Sequence, residues 1–282
     1  MLNPKVDLAF KKLFGVEENK DILMSFINSV VDEKDQVKDI ILKNPYNDKN
    51  FKNDKLSILD IKAQDALTDK WYNIEMQISN QDYYDKRALY YWSKLYIGQL
   101  GGGVIYSKLE KAICINILNF TCIDNETEYH NTYKLYNTKS HNEFLDDLEI
   151  HFIELTKYHH EVKNLLDKWV LFLKEGNLFK ELPKELEEIN SIKKAMEVLE
   201  HMSLTTDERE AYEARLGWLM DEELALEKAN KDGLEEGLKQ GLKQGLKQGK
   251  LEIAKVSLEK GLDIETVSQI TGLTIEEIEK IK

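Results

Sequence analysis

The chain opens with an apolar period of three and four. Leu8, Phe10, Leu13 and Phe14 share one helical face, Lys11 and Lys12 lie between them, and Gly15 supplies a stop. Residues 21–31 continue as a second helix carrying Ile22, Phe26, Ile27 and Val30 on one side. Residues 37–42 read as a short strand, and 44–54 as a polar loop around Pro45. The period then drops to two. In residues 56–78, LSILDIKAQDALTDKWYNIEMQI, two alternating runs flank the polar segment 64–70, which predicts a β-hairpin. A turn centred between Leu67 and Thr68 sets Leu59 against Met76, Ile61 against Ile74 and Ala63 against Tyr72 on one apolar face. The other face then pairs Ile58 with Gln77, Asp60 with Glu75 and Lys62 with Asn73. A slip of one residue mixes the two faces, so the pattern selects this register or one two residues away. A tyrosine-rich helix follows over 81–100, closed by the glycines at 101–103. Strands are expected at 111–120 and 129–136. The remainder to residue 230 reads as mostly helical, near 162–174, 185–202 and 207–229, with one more strand at 148–155.

This order predicts an α/β fold: a mixed sheet flanked by helices, followed by a mostly helical C-terminal region. The 282 residues, 42% hydrophobic and 32% charged, suffice for a core and a second unit. No run of 18 apolar residues exists, and the N-terminus lacks the apolar stretch of a signal peptide, so the expectation is no membrane and a cytoplasmic location. Cys114 and Cys122 form no metal or redox motif, which fits a reducing compartment and argues against zinc. The net charge of −13 is unevenly spread: residues 1–119 balance 17 acids with 17 bases, and the excess lies in 120–232. An N-terminal part of that balance need not repel nucleic acid, though it advertises no strongly basic patch.

The hairpin register carries the candidate chemistry. Asp60 and Glu75 stand directly across from each other, with Cβ atoms about 4.5–5.5 Å apart, where like charges destabilise a sheet. Either a hard divalent cation resolves the conflict, or the acids belong to a surface ion cluster that Lys62 helps to neutralise. Asp7 is either a helix N-cap or a further acid near this site. Tyr84, Arg87, Tyr91 and Lys94 recur at helical spacing; they pack with Ala88, Trp92 and Leu95 as core, or offer arginine and rings to a nucleic-acid backbone. His151, His159, His160 and His201 show no metal-ligand spacing and read as exposed or internally satisfied.

Three motifs together give a resemblance. Asp7, Phe10, Lys11, Phe14 and Gly15 form D-x-x-F-K-x-x-F-G; Leu59, Asp60, Ile61, Lys62, Ala63 and Asp65 form L-D-I-K-A-x-D; Asn73, Ile74, Glu75, Met76 and Gln77 form N-I-E-M-Q. The sequence resembles the PD-(D/E)XK nuclease superfamily, in its Rpn group of recombination-promoting nucleases and transposases, well over 1–137 and more loosely beyond. The resemblance implies a Mg²⁺-dependent DNA endonuclease (with Mn²⁺ as a substitute ion) of low sequence specificity that promotes recombination. It implies that Asp60, Glu75 and the backbone carbonyl of Met76 bind the metal. Asp7 and Gln77 complete the implied catalytic group, and Lys11, Lys62, Arg87 and Tyr91 meet DNA. Gln77 stands where most of the superfamily has lysine; an amide can orient water but is no practical base. The alternative is a catalytically silent nuclease fold that serves as a binding or assembly module.

Glycine recurs at 233, 237, 241, 245 and 249 in GLEE followed by three GLKQ units. Each glycine costs roughly 1 kcal/mol against alanine in a helix, so the tract is either a helix supported by a partner helix or a linker. Asp263 is placed to cap a short helix, Gly272 to stop it, and Thr274 with Glu277 to form a capping box. The outline resembles a helix-turn-helix, but Glu276, Glu277 and Glu279 favour a protein-docking or dimerising hairpin over DNA. The expected organisation is therefore a nuclease-like core at 1–137, an acidic helical region at 138–231, a repeat helix or linker at 232–250, and a helical tail at 251–282. Homo-oligomerisation is expected through the helical region.

Overall fold

The computed structural model describes residues 1–44, 46–47, 57–58, 60–80, 82–100, 105–159 and 161–281. The chain divides into two compact units, residues 1–219 and 220–282. In the first, helices α1 (Asp7–Phe14) and α2 (Lys20–Val30) lead to β1 (Ile40–Lys43). Two short strands, β2 (Tyr46–Asn47) and β3 (Ser57–Ile58), pair with each other before β4 (Ile61–Asp65) and β5 (Trp71–Gln77). Helix α3 (Tyr84–Ile97) precedes β6 (Ala112–Leu118), β7 (His130–Tyr136) and β8 (Glu143–Glu154). Then come α4 (Leu165–Glu175), α5 (Lys184–Glu187), α6 (Asn190–His201) and the start of α7 (Thr206–Glu259).

Six strands form one mixed sheet in the order β1-β4-β5-β6-β8-β7. β4 and β5 pair antiparallel with Ile61 opposite Ile74, Lys62 opposite Asn73 and Ala63 opposite Tyr72. This is the register that apolar alternation selects, because any odd slip would turn Ile61, Ala63, Tyr72 and Ile74 out of the core. Leu59, expected opposite Met76, lies outside the described residues, as do the loop proline Pro45, Gln81, the glycines at 101–103 and His160. β6 reads AICINIL and is buried at every position. That is what a strand with parallel neighbours on both sides requires, since β5 and β8 flank it and helices cover both faces.

On one face α1, α2, α4 and α6 close the main core around Trp169, whose ring meets Phe14, Phe26 and Phe172 at centroid distances of 5.8–6.0 Å. Helix α3 covers the other face through Tyr84, Ala88, Tyr91 and Leu95. It stops at Gly98, before the glycine triplet. β8 extends the expected strand by five residues at its N-terminal end. It pairs with both β6 and β7, so the boundary expected at residue 137 falls between two hydrogen-bonded strands. Those added residues, EFLDD, set the exposed apolar pair Phe144 and Leu145 side by side before two acids, so the run carries no apolar alternation.

In the second unit the GLKQ tract is continuous helix, part of α7. Helices α8 (Ile264–Thr271) and α9 (Ile275–Glu279) pack with α7 residues around Ala254, Val267, Leu273 and Ile278. The capping signals act as expected: the Asp263 carboxylate accepts from the Thr266 N–H, and Thr274 and Glu277 form a capping box. Gly272 ends α8 at φ 67°, a left-handed conformation that suits glycine. Among the described residues no helix is long and apolar enough to cross a membrane.

Candidate active site

Asp60 sits in the bend immediately before β4, at the end of the β4–β5 ladder. The Met76 N–H donates to its Oδ2 at 2.9 Å, and the Asp60 N–H donates to Glu75 Oε1 at 3.3 Å. The Asp60 carboxylate therefore holds the Met76 backbone, and the Glu75 carboxylate holds the Asp60 backbone, across the strand pair. N–H and C=O of one strand residue leave on the same edge, so the Met76 carbonyl faces the Asp60 side of β5, past the last β4–β5 pair. Glu75 is 1% exposed. Burial and the neighbouring Asp60 carboxylate push it up to about 8. Burial also raises Asp60, against the Met76 N–H and the Lys11 ammonium that favour its charged form.

Asp7 does not cap α1. Val6 occupies the N-cap, and Asp7 lies in the first turn with its side chain 57% exposed. It holds Lys11 instead: Lys11 Nζ is 2.9 Å from Asp7 Oδ1 and 3.2 Å from Asp60 Oδ1. A cleft of about 640 Å³ opens here, lined by Asp7, Lys11, Asp60 and Gln77 and, across from them, by Tyr212 and Arg215 of α7. Of the residues predicted from sequence, Asp7, Lys11, Asp60, Met76 and Gln77 share this cleft, and Glu75 lies directly behind Asp60.

Arg87 and Tyr91 reach the same region from α3. Arg87 Nε donates to the Tyr91 hydroxyl at 2.9 Å, its guanidinium lies over the Tyr84 and Tyr91 rings, and its charge favours ionised Glu75. Tyr91 is only 9% exposed, so of the two readings of the tyrosine row, core packing is the one observed for this ring. Lys62 stands apart from the cleft lining, with its ammonium 5.2 Å from the centroid of Trp71.

Sequence reasoning passed over Asn116. It is buried beside Glu75 on β6 and accepts from the Tyr84 hydroxyl at 3.1 Å. The signal was present, since Asn116 is the single hydrogen-bonding side chain in an otherwise apolar strand. The contributions of Tyr212 and Arg215 left no such trace, because only tertiary packing brings α7 to the cleft. His151 is internally satisfied by Glu149, whereas His159 and His201 are exposed. No group of three or more His, Cys, Asp or Glu side chains able to hold a metal occurs among the described residues. Any cation here would take two carboxylates, a backbone carbonyl and water or substrate oxygens. That donor set fits a hard divalent ion.

Two family models match the sequence. One, described as PD-(D/E)XK nuclease family transposase, spans residues 4–229. The other, the Rpn/YhgA-like nuclease family C-terminal HTH domain, spans residues 247–282. No curated protein and no solved structure matches. The second match bears out the helix-turn-helix outline of the tail, whose helices the Asp263 cap and the Gly272 stop delimit. The hairpin register, the acid pair at the end of its ladder and the match over most of the chain lead to one conclusion: this protein belongs to the PD-(D/E)XK nuclease family transposases.

Proposed function

We propose that the chain is a divalent-metal-dependent DNA endonuclease, with Asp60, Glu75 and the Met76 carbonyl as the metal-binding group and Mg²⁺, or Mn²⁺ in its place, as the ion. The observation that carries this reading is the buried Asp60–Glu75 pair beside the cleft. Each acid is raised by burial, and the position is one that positive charge would stabilise. The chemistry such an ion supplies when bound is polarisation of a phosphate oxygen and a lowered pKa for water. The chain's own residues do the rest. Asp60 and Glu75 hold the site through the bonds their carboxylates accept from the Met76 and Asp60 N–H groups. Gln77, in the cleft lining, orients water through its amide without taking its proton. Lys11, steadied by Asp7, and Arg87 offset phosphate charge.

Cutting with little sequence preference follows from this arrangement, since phosphate contacts position DNA without reading bases. Recombination promoted by such cuts, and DNA contact by the C-terminal HTH region, complete the reading. Association between copies through the helical region is supported by Leu234, Leu238, Leu242 and Leu246, all 60–77% exposed. The test is nicking of supercoiled plasmid in Mg²⁺ by the wild type, Asp60→Asn and Glu75→Gln. Cutting by the wild type alone is expected. Equal nicking by all three would mean contamination. No nicking by any would favour a catalytically silent binding module, a reading that the Lys11 ammonium already seated on Asp60 makes specific.

A further inference from the structure

The sheet carries a second like-charged pair, of opposite sign to the first. Lys43 of β1 lies directly opposite Lys62 of β4. Both ammonium groups sit over one indole, that of Trp71, at 5.7 and 5.2 Å from the ring centroid. Like charges directly opposite destabilise a sheet. The shared ring offsets part of that cost through the attraction of each cation to the aromatic face. All three side chains are half-buried.

Their position relative to the acids is fixed by register. Lys62 follows Asp60 by two residues, about 6.6 Å along an extended chain. It pairs with Asn73, which precedes Glu75 by two residues on the same face of β5. Trp71 stands two residues further back on that face. From the acid pair outward to the sheet edge, the order is therefore carboxylates, then ammonium groups braced on a ring. A polyanion whose reacting phosphate lies at Asp60 would bring its next phosphate to the lysine pair.

We propose that Lys43 and Lys62, held together by Trp71, grip the phosphodiester adjacent to the one at Asp60 and Glu75, so that a DNA strand leaves the site across the β4–β1 edge. This rests on the nuclease reading above and adds Lys43 and Trp71 to it. The occupant is the DNA backbone because two ammonium groups held side by side match a phosphate and carry no base-reading geometry.

The test measures binding of a short fluorescein-labelled duplex by anisotropy in EDTA, across a salt titration. The full chain is compared as wild type, Lys43→Met, Lys62→Met and the double variant, with Lys108→Met as an exposed control. Each lysine lost is expected to lower the slope of log K against log salt by about one, and the control by nothing. Trp71 emission should change on DNA addition in the wild type, and the change should vanish in Trp71→Phe and shrink in the double variant. The melting temperature of Lys43→Met should equal or exceed the wild type, because a repulsive pair has been removed. Unchanged slopes in variants of a wild type that nicks plasmid would overturn the clamp alone. A wild type that neither binds nor nicks DNA would overturn the clamp and the nuclease reading together.

Discussion

Lys11 Nζ lies 3.2 Å from Asp60 Oδ1 and thereby places one positive charge of the chain's own on the acid pair. A divalent ion bound by Asp60 and Glu75 has to share Asp60 with that ammonium. Lys11→Met should therefore tighten Mn²⁺ binding, measured by titration calorimetry, by about tenfold, the equivalent of roughly 1.4 kcal/mol. The metal-free variant should melt lower than the wild type and recover in Mn²⁺. An unchanged or weaker Mn²⁺ affinity would show that Lys11 supports the ion instead of competing with it.

Glu75 has an opposite influence on folding. An ordinary glutamate titrates near 4.5, whereas Glu75 is pushed up to about 8 by burial and by Asp60. Between those values the unfolded chain is ionised while the folded one keeps its proton, so stability falls as pH rises through the window. Glu75→Gln, without metal, should flatten this fall and exceed the wild type at pH 8 by on the order of 2 kcal/mol in urea denaturation. Added Mg²⁺ should stabilise the wild type and leave the variant unmoved.

Acid should weaken the fold through a different group. His130 Nε2 lies 3.0 Å from His151 Nδ1, and His151 Nε2 lies 2.7 Å from Glu149 Oε1. Burial, and then the neighbouring His151, hold His130 down to about 4. The unfolded histidine takes up a proton near 6.5 and the folded one does not, so stability drops as pH falls from 6.5 to 4, by about 2–3 kcal/mol. His130→Asn should remove most of that slope in denaturation curves collected across the range. An identical slope would place the acid sensitivity elsewhere, with Glu149, held low by His151 and Lys111, the next group to replace.

The glycine row of α7 gives a test of association. A Cβ added at Gly233, Gly237, Gly241, Gly245 or Gly249 meets nothing within 4 Å. In a single chain each alanine there should add about 0.8–1 kcal/mol of helix stability, visible as slower amide exchange. Should a partner helix pack on the row, the same alanines would block its approach, and sedimentation would show the assembly lost. Slower exchange with unchanged mass would leave association to other surfaces.

The hairpin was legible because alternation over two strands admits few registers, and its acid pair followed from that register alone. The capping residues of the tail were legible for a similar local reason: Asp263, Gly272 and Thr274 each satisfy backbone groups within a few residues of themselves. Asp7 stayed open between cap and site because capping residue types also favour the first helical turn, where negative charge meets the helix dipole. The assignment to cap or first turn depends on Val6 being extended, which no composition signals. The glutamates of α9 bear on what that helix binds and hardly at all on whether it forms, so the helix-turn-helix was legible from its caps and not from its charges. The cleft wall from α7 stayed hidden because it depends on contacts between residues some two hundred positions apart.

That wall sets the order in which the protein becomes complete. The Asn3 N–H donates to the Tyr212 hydroxyl at 2.8 Å, and Lys12 of the first helix reaches Glu208 at 2.8 Å. During synthesis, the acid pair leaves the ribosome long before the residues that enclose it. A nascent or prematurely ended chain therefore carries both carboxylates on an unfinished surface, and the enclosed cleft arises only once translation has passed Arg215.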